Sequence, residues 1–330
     1  MPTSRVARTS RAQLDHTFFD LDGETPASPT GTVTVAVTDA NNTAVTSGNA
    51  TAAGDGRYTF VLPGQSVLGE LTARWTATLD GTTVVEDDLV EVCGAHLFTL
   101  QQGRAADASL ANTTQYPTAA LREARLQTEA EVEEICDRAF TPRYRRLVLD
   151  GTGTDELILD DNEIRRVRAV RVAPRADGTY TPLTTEQLAA LVVTPDRVLR
   201  RVDGGTWTAG RGNVIVEYEH GLNAPAADLV RAMLVRFRSF ANVGKTNTPD
   251  RAKSFTTTDG TTYRVTLPDA YRTGLPFVDG IYSRYSLRSL SAESTGSSGG
   301  GGGGGGASSP ASRTLDFNPQ HDSIFHGGRR

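Results

Sequence analysis

Residue patterns that usually carry catalysis or bind a metal ion are missing from this 330-residue sequence. The five histidines are scattered, and no His-x-x-x-His or Cys-x-x-Cys spacing offers a ligand set. They are His16, His96, His220, His321 and His326. No Gly-x-Ser-x-Gly nucleophile elbow lies between a predicted strand and a predicted helix. We therefore expect no enzyme, no cofactor and no bound metal.

A run of carboxylates, from Asp155 and Glu156 through Asp160 and Asp161 to Glu163, is the strongest remaining candidate for chemistry. Carboxylates at this density suit a divalent cation or a catalytic acid pair. They also flank predicted turns and precede a basic strand, so acidic and basic strands can pair across a sheet or between copies of the protein. The sequence favours this second, structural interpretation.

Arginines are concentrated next to those carboxylates and form the most basic part of the chain. This set comprises Arg143, Arg145, Arg146, Arg165, Arg166, Arg168 and Arg171. A sequence-independent contact with the phosphates of nucleic acid needs a local cluster of this kind. Because the acidic run is adjacent, contacts between subunits are the favoured interpretation. Both roles are compatible with a ring that surrounds nucleic acid.

The composition limits the class of protein. The net charge is −5, and 38% of the residues are hydrophobic. The pI near 5.6 excludes a generally basic nucleic-acid-binding domain. Two distant cysteines, Cys93 and Cys136, indicate a reduced compartment rather than a disulfide framework. No apolar run is long enough for a membrane span or a signal peptide, so we expect no contact with a membrane.

The periodicity changes along the chain and divides it. Short alternating strands separated by turn residues predict a small β-sandwich of immunoglobulin-like (Ig-like) architecture. Helical spacing of Leu121, Ala124, Thr128, Val132 and Ile135 then predicts a long amphipathic helix, and a second one follows Pro225 after a β-rich stretch. Five segments are predicted: an N-terminal arm (1–12), the sandwich (13–94), a helical core with a β insertion (95–243), an extended C-terminal arm (244–290) and a Gly/Ser-rich tether with a terminal peptide (291–330).

The fold class expected from this division is α+β and multidomain. An N-terminal Ig-like β-sandwich is followed by a helical core with a β insertion and by an extended C-terminal arm. The low apolar content is then explained by the terminal segments and by a threonine-rich sandwich with a thin core. Neighbouring proteins would supply the missing core.

Several short motifs, in order, resemble the head-to-tail connector (adaptor) proteins of tailed bacteriophages that infect actinobacteria. The similarity covers residues 93–290, and the N-terminal Ig-like domain is an addition to the family pattern. The motifs are 93–100 (CGAHLFTL), Tyr116-Pro117, 135–144 (ICDRAFTPRY), 149–153 (LDGTG), 216–222 (VEYEHGL) and 273–279 (TGLPFVD).

The resemblance implies a structural virion protein at the head–tail interface, assembled in the host cytoplasm. Adaptors of this family form a ring, typically twelvefold, under the portal protein. The ring extends the channel for genomic DNA, without sequence-specific binding, and docks the next head-completion or tail-connector proteins. Their C-terminal segments tend to embrace the portal.

Two sets of apolar residues are candidates for docking under this interpretation. The candidate portal-docking arm contains Leu275, Pro276, Phe277, Val278 and Tyr282. The candidate docking peptide of the tail contains Leu315, Phe317, Ile324 and Phe325. A solvated terminus with chance apolar residues is an equally good interpretation of the tail.

The alternative function is a glycan-binding or adhesive surface protein that acts through the Ig-like domain. Aromatic side chains commonly form the platform of a sugar site, and Tyr58 and Trp75 are the candidates here. Burial in the core of the sandwich is the competing and favoured interpretation of both.

Overall fold

The structure is a computed structural model that describes residues 4–20, 22–174, 178–243, 254–256, 262–264 and 272–288. All of these residues belong to one compact unit, Met1–Ser289. Both helices and several sheets are present, as the predicted α+β class requires. The described part of the unit contains three hydrophobic cores, each a cluster of buried apolar side chains.

Eight strands form the N-terminal part of the chain, which we call the sandwich. They are β1 (Ser4–Ala7), β2 (Ala12–Thr17), β3 (Thr30–Asp39), β4 (Ala44–Asn49), β5 (Thr51–Gly54), β6 (Arg57–Leu62), β7 (Gly69–Leu79) and β8 (Thr82–Cys93). One sheet has the order β1-β8-β7-β3-β4, and the other has the order β2-β6-β5. Alternate residues of β3, namely Val33, Val35 and Val37, point into the shared core with Trp75 and Leu14.

The first strand lies in a segment for which the sequence suggested an arm outside the sandwich. Residues Ser4–Ala7 instead pair in parallel with β8, from Val90 to Cys93. Val6 is buried in the sandwich core. The run is too short to show a clear alternating pattern, so only the pairing with β8 identifies it as a strand.

The described residues include five α-helices: α1 (Leu100–Ala106), α2 (Thr118–Cys136), α3 (Thr185–Ala189), α4 (Ala227–Ala241) and α5 (Pro276–Tyr285). A 3-10 helix covers Ala108–Ala111. Thr99 and Gln102 form the capping box that starts α1. Helices α1, α2, α4 and α5 share one apolar cluster, which we call the helical core.

A β-rich insertion separates α2 from α4. Its strands are β9 (Arg143–Gly151), β10 (Glu156–Ile158), β11 (Ile164–Val172), β12 (Thr181–Pro182), β13 (Leu191–Val193), β14 (Val198–Arg201) and β15 (Gly210–His220). A four-stranded sheet, β12-β11-β15-β9, and a three-stranded sheet, β10-β14-β13, enclose an apolar cluster around Trp207. The insertion therefore has a hydrophobic core of its own.

The C-terminal part of the described chain differs from the predicted extended arm. Strands β16 (Ser254–Thr256) and β17 (Thr262–Arg264) pair as an antiparallel hairpin. Beyond them, α5 begins with Pro276 in its first turn, and Val278, Ile281 and Tyr282 are buried in the helical core. Apolar residues three and four apart in a short segment already carry a helical pattern. This segment completes the core of its own chain.

Candidate functional site

Arg143 is the first of the predicted contact arginines, and it is not free to meet a partner. Its guanidinium contacts Glu91 of β8, and its Nη1 lies 3.2 Å from Glu133 Oε2 of α2. Arg5 of β1 reaches the same carboxylates, with Nε 3.2 Å from Glu91 Oε2 and Nη2 3.2 Å from Glu133 Oε2. Arg5 Nη1 also lies 2.9 Å from Glu129 Oε2. These five side chains form what we call the junction cluster.

The junction cluster joins the sandwich, the helical core and the insertion. The side chains of Arg5 and Glu129 are only 5% and 1% exposed. The main-chain N–H of Leu97 donates a hydrogen bond of 2.9 Å to Glu129 Oε1. Because a buried charge without its partner is costly, the cluster favours the placement of these elements in which the five side chains meet.

The electrostatics of the cluster favour the charged forms of Arg5 and Glu129. Burial alone would lower the pKa of Arg5, but the carboxylates of Glu133, Glu91 and Glu129 hold it above its ordinary value. Burial alone would raise the pKa of Glu129, but contact with His96 and the charge of Arg5 lower it to about 2. The pair is therefore ionised at neutral pH.

Two glutamates of β15 form ion pairs with four more of the predicted arginines. Glu217 Oε1 lies 3.2 Å from Arg171 Nη1 and 4.0 Å from Arg146 Nε. Glu219 Oε1 lies 2.8 Å from Arg166 Nη2 and 3.8 Å from Arg168 Nε. The pairing of acidic and basic strands expected from the sequence therefore occurs within the chain. The acidic partner is β15, however, and not the carboxylate run at 155–163.

Two of these arginines also bind the sandwich. Arg168 Nη1 donates a hydrogen bond of 2.5 Å to the main-chain oxygen of Leu68, and Arg171 Nη1 donates one of 2.7 Å to Asn41 Oδ1. The guanidinium of Arg168 also lies over the ring of Tyr144, 5.2 Å from its centroid. Arg168 and Arg171 therefore hold the insertion sheet against loops of the sandwich.

Arg145, Arg165 and Arg166 remain exposed. Arg145 Nε lies 3.7 Å from Asp161 Oδ2, and Arg165 Nη1 donates a hydrogen bond of 3.3 Å to the main-chain oxygen of Gly221. These three members of the predicted set are the most exposed, whereas Arg146, Arg168 and Arg171 are partly buried.

The carboxylate run is bound by basic and hydroxyl groups of the same chain. Arg200 Nε lies 2.8 Å from Asp155 Oδ2 and 3.9 Å from Glu156 Oε1. Glu163 pairs with Arg138, and the hydroxyl of Tyr218 donates a hydrogen bond of 2.5 Å to Asp161 Oδ2. Within the described part of the chain, no group of three or more His, Cys, Asp or Glu residues is arranged to hold a metal ion.

A cleft of about 450 Å³ lies where the sandwich, α2 and the insertion meet. Its lining mixes carboxylates such as Glu70 and Asp160 with Arg145 and His220. Burial lowers the pKa of His220, and its Nδ1 lies 3.6 Å from Asp161 Oδ1. That separation exceeds a hydrogen bond, so the two side chains are not hydrogen-bonded to each other through these atoms.

The candidate portal-docking residues divide between the surface and the interior. Val278 and Tyr282 are buried in the helical core, and Leu275 packs against it. Pro276 and Phe277 are exposed, and the guanidinium of Arg231 lies 5.5 Å from the centroid of the Phe277 ring. A partner can therefore contact Phe277 but not Val278 or Tyr282 in this arrangement.

The remaining candidates concern the tail and the alternative glycan site. Leu315, Phe317, Ile324 and Phe325 lie outside the described residues. Trp75 is completely buried in the sandwich, and Tyr58 is half-buried and packs against the same core. Neither aromatic ring provides an exposed platform for a sugar.

Neither Arg5 nor Glu129 and Glu133 of α2 were singled out from the sequence, although the structure brings them together. A signal was nevertheless present. Glutamates four residues apart lie on one side of a helix, and buried Ala130 and Val132 lie close to them in sequence. Their partner Arg5 is more than 120 residues away, so its role could not be read from local spacing.

Among the described residues, no helix is long and apolar enough to cross a membrane. Neither a known family model nor a curated protein matches the chain. Among solved structures, the chain is similar to a protein from the neck of an empty gene transfer agent (GTA) particle computed with C6 symmetry. The two share 18% identity with a TM-score of 0.38, over 59% of this chain and 92% of that one.

Two further solved structures are similar. One is from the neck of the native GTA particle computed with C12 symmetry, at 19% identity and a TM-score of 0.35, over 59% of this chain and 96% of that one. The other is from the virion of the native GTA particle, at 19% identity and a TM-score of 0.33, over 52% of this chain and 80% of that one.

Proposed function

We propose that this chain is a structural neck protein of a tailed-phage-like particle, located between head and tail. It forms a homo-oligomeric ring, twelvefold in this proposal, under the portal protein. The ring extends the DNA channel without sequence-specific binding and docks the next connector or tail proteins. Assembly takes place in the host cytoplasm, and the protein is not an enzyme.

The observation that carries the proposal is the convergence of the motifs that resemble connector proteins. The main-chain N–H of Gly94 donates a hydrogen bond of 2.7 Å to the oxygen of Pro142, and that of Leu222 donates one of 3.0 Å to Ala139. Phe98, from the same motif as Gly94, and Val278, from a fourth motif, are buried in the helical core. Segments far apart in sequence therefore build one structural unit.

The sandwich is an Ig-like module in this proposal, fixed to its own protomer and located outside the channel. Residues 13–94 contain twelve Asp and Glu residues but only Arg57 and Arg74 as basic residues. Such a charge repels the DNA backbone. Arg168 and Arg171 of the insertion fix the sandwich to the same chain through the main-chain oxygen of Leu68 and Asn41 Oδ1.

The portal contact is assigned to the exposed part of the predicted arm. Phe277 is the large apolar side chain of α5 that remains exposed near Pro276, and Arg231 supplies a cation beside it. The exposed Arg145, Arg165 and Arg166 are the members of the arginine set that remain for the channel or for a neighbouring subunit.

Immunogold labelling of intact particles tests this location. An epitope tag inserted in the exposed Asp80-Gly81 turn of the sandwich, between β7 and β8, marks the chain without disturbing a core. Label at the head–tail junction is the expected result. Label spread over the head surface or along tail fibres would overturn the proposal and favour the adhesive alternative.

A further inference from the structure

The outer face of the three-stranded sheet in the insertion is apolar and open. Val192, Arg200 and Glu156 are direct partners across β13, β14 and β10. Ile158 and Val202 follow Glu156 and Arg200 by two residues, so they share that face, while Leu157 and Leu199 point into the core. Ile158, Val192 and Val202 are 67%, 47% and 61% exposed. We call this surface the sheet face.

At the edge of the sheet face, two carboxylates meet one guanidinium, so the local charge is negative. Asp155 and Glu156 share a single guanidinium, that of Arg200, at 2.8 and 3.9 Å. All three side chains are partly exposed. One carboxylate of the sheet face is therefore left without a full counter-charge, beside three exposed aliphatic side chains.

A second open surface lies on the outer side of α4 and α5, whose inner sides contribute to the helical core. Arg231 and Val235 are four residues apart on the exposed side of α4, and Phe277 lies beneath the guanidinium of Arg231. The opposite side of α4 is buried through Met233 and Phe237. Among the described residues, Arg231 has no carboxylate partner, whereas its neighbour Arg284 pairs with Asp228 at 2.9 Å. We call this surface the helix face.

We propose that the sheet face of one copy docks on the helix face of the next copy around the ring. Apolar side chains then meet apolar side chains, and the guanidinium of Arg231 supplies the counter-charge that Glu156 lacks. The two faces belong to different cores of the chain, so the contact is head-to-tail, and it builds a ring where the rotation between copies closes and a filament where it does not. Exposed apolar surface beside complementary charge is characteristic of interfaces between proteins. This inference rests on the proposed function, because it names the contact that builds the proposed ring.

Disulfide trapping with the full-length chain tests the contact. Cys93 and Cys136 are buried, so introduced cysteines dominate the reaction. Under mild oxidation at high protein concentration, the double variant Ile158→Cys/Val235→Cys should give a ladder of covalent multimers. Ile158→Cys alone and Val235→Cys alone should stay monomeric, because a head-to-tail contact does not bring equivalent residues together. Val67→Cys/Val235→Cys is the matched control, since Val67 is an exposed valine of the sandwich.

Exchanging the charges at positions 231 and 156 provides a second test in the same experiment. Arg231→Glu in the double-cysteine background should lower the ladder yield about two- to fivefold, as expected for loss of an exposed ion pair. Adding Glu156→Arg should restore it. If neither substitution changes the ladder yield, the role assigned to Arg231 and Glu156 is wrong.

The remaining outcomes separate this contact from the proposed function. No ladder, or dimers from either single variant, overturns the interface. If electron micrographs of the unmodified chain show rings while no ladder forms, the interface is wrong and the ring proposal stands. If a ladder forms and micrographs show open filaments, the contact is supported and the ring proposal fails.

Discussion

Arg5 Nη1 lies 2.9 Å from Glu129 Oε2, and this buried ion pair joins the first strand of the sandwich to the long helix of the helical core. Through Glu91, Glu133 and Arg143 the same cluster reaches the insertion. The sandwich is therefore held to its protomer by charges that are largely buried. Three elements from distant parts of the sequence depend on one arginine near the N-terminus.

Replacing Arg5 by methionine should destabilise the chain strongly. Glu129 would remain buried without its guanidinium, and breaking a buried pair in this way costs about 3–5 kcal/mol. Urea unfolding followed by circular dichroism measures the loss. Arg74→Met is the control, because the pair of Arg74 with Asp87 is exposed, and its unfolding midpoint should stay close to that of the wild type. Equal effects of the two variants would contradict a special role for Arg5.

Acid should weaken the fold through Glu129. Its pKa in the folded chain, about 2, lies below the ordinary value of 4.5. The folded state therefore holds the charged form, and the stability gained is complete above pH 4.5 and lost as the pH falls toward 2. Urea unfolding at a series of pH values should show this fall, and Glu129→Gln should flatten it. An unchanged pH profile in the variant would refute the assignment.

Both thiols should be inert in the folded chain. Burial raises the pKa of Cys93 and of Cys136 to about 12, so almost no thiolate exists at pH 8. Labelling with a thiol-specific chromogenic reagent should be negligible until denaturant is added, when both thiols should react. Rapid labelling of either cysteine in the native protein would show that the structure around it is wrong.

Loss of Arg171 should loosen the sandwich from the insertion. Arg171→Ala removes the hydrogen bond to Asn41 and one partner of Glu217. Hydrogen exchange should then speed up in the sandwich loop around Asn41, while Trp207 and the insertion core stay protected. Arg166→Ala is the matched control, since Arg166 is exposed and pairs with Glu219 inside its own sheet. Faster exchange of the same loop in the control would contradict the assignment.

Local patterns predicted the parts of the fold that depend on local sequence. Apolar residues spaced three and four apart predicted α2, because they lie on one face of a helix. Alternation of Val33, Val35 and Val37 predicted a strand, because alternate residues of a strand point to the same face. The sequence also indicated that acidic and basic strands would pair. It could not indicate that Glu217 and Glu219 are the acidic partners, because strand pairing in a sheet is decided by tertiary packing.

The least predictable features are contacts between distant segments. Arg168 meets Leu68 across 100 residues, and Arg5 meets Glu129 across 124. Contacts between such distant residues produce no periodic pattern in the sequence. In α5, Val278 and Tyr282 were predicted to dock on a portal, yet the helical core of the same chain buries them.

Head–tail joining in particles produced without this chain tests the central claim most directly. Deleting its gene should leave DNA-filled heads and free tails in electron micrographs, and supplying the wild-type chain in trans should restore joined particles. An Arg5→Met chain, if it is too unstable to accumulate, should fail to restore them. Joined particles in normal number that fail only to attach to cells would contradict the neck assignment and support the adhesive alternative.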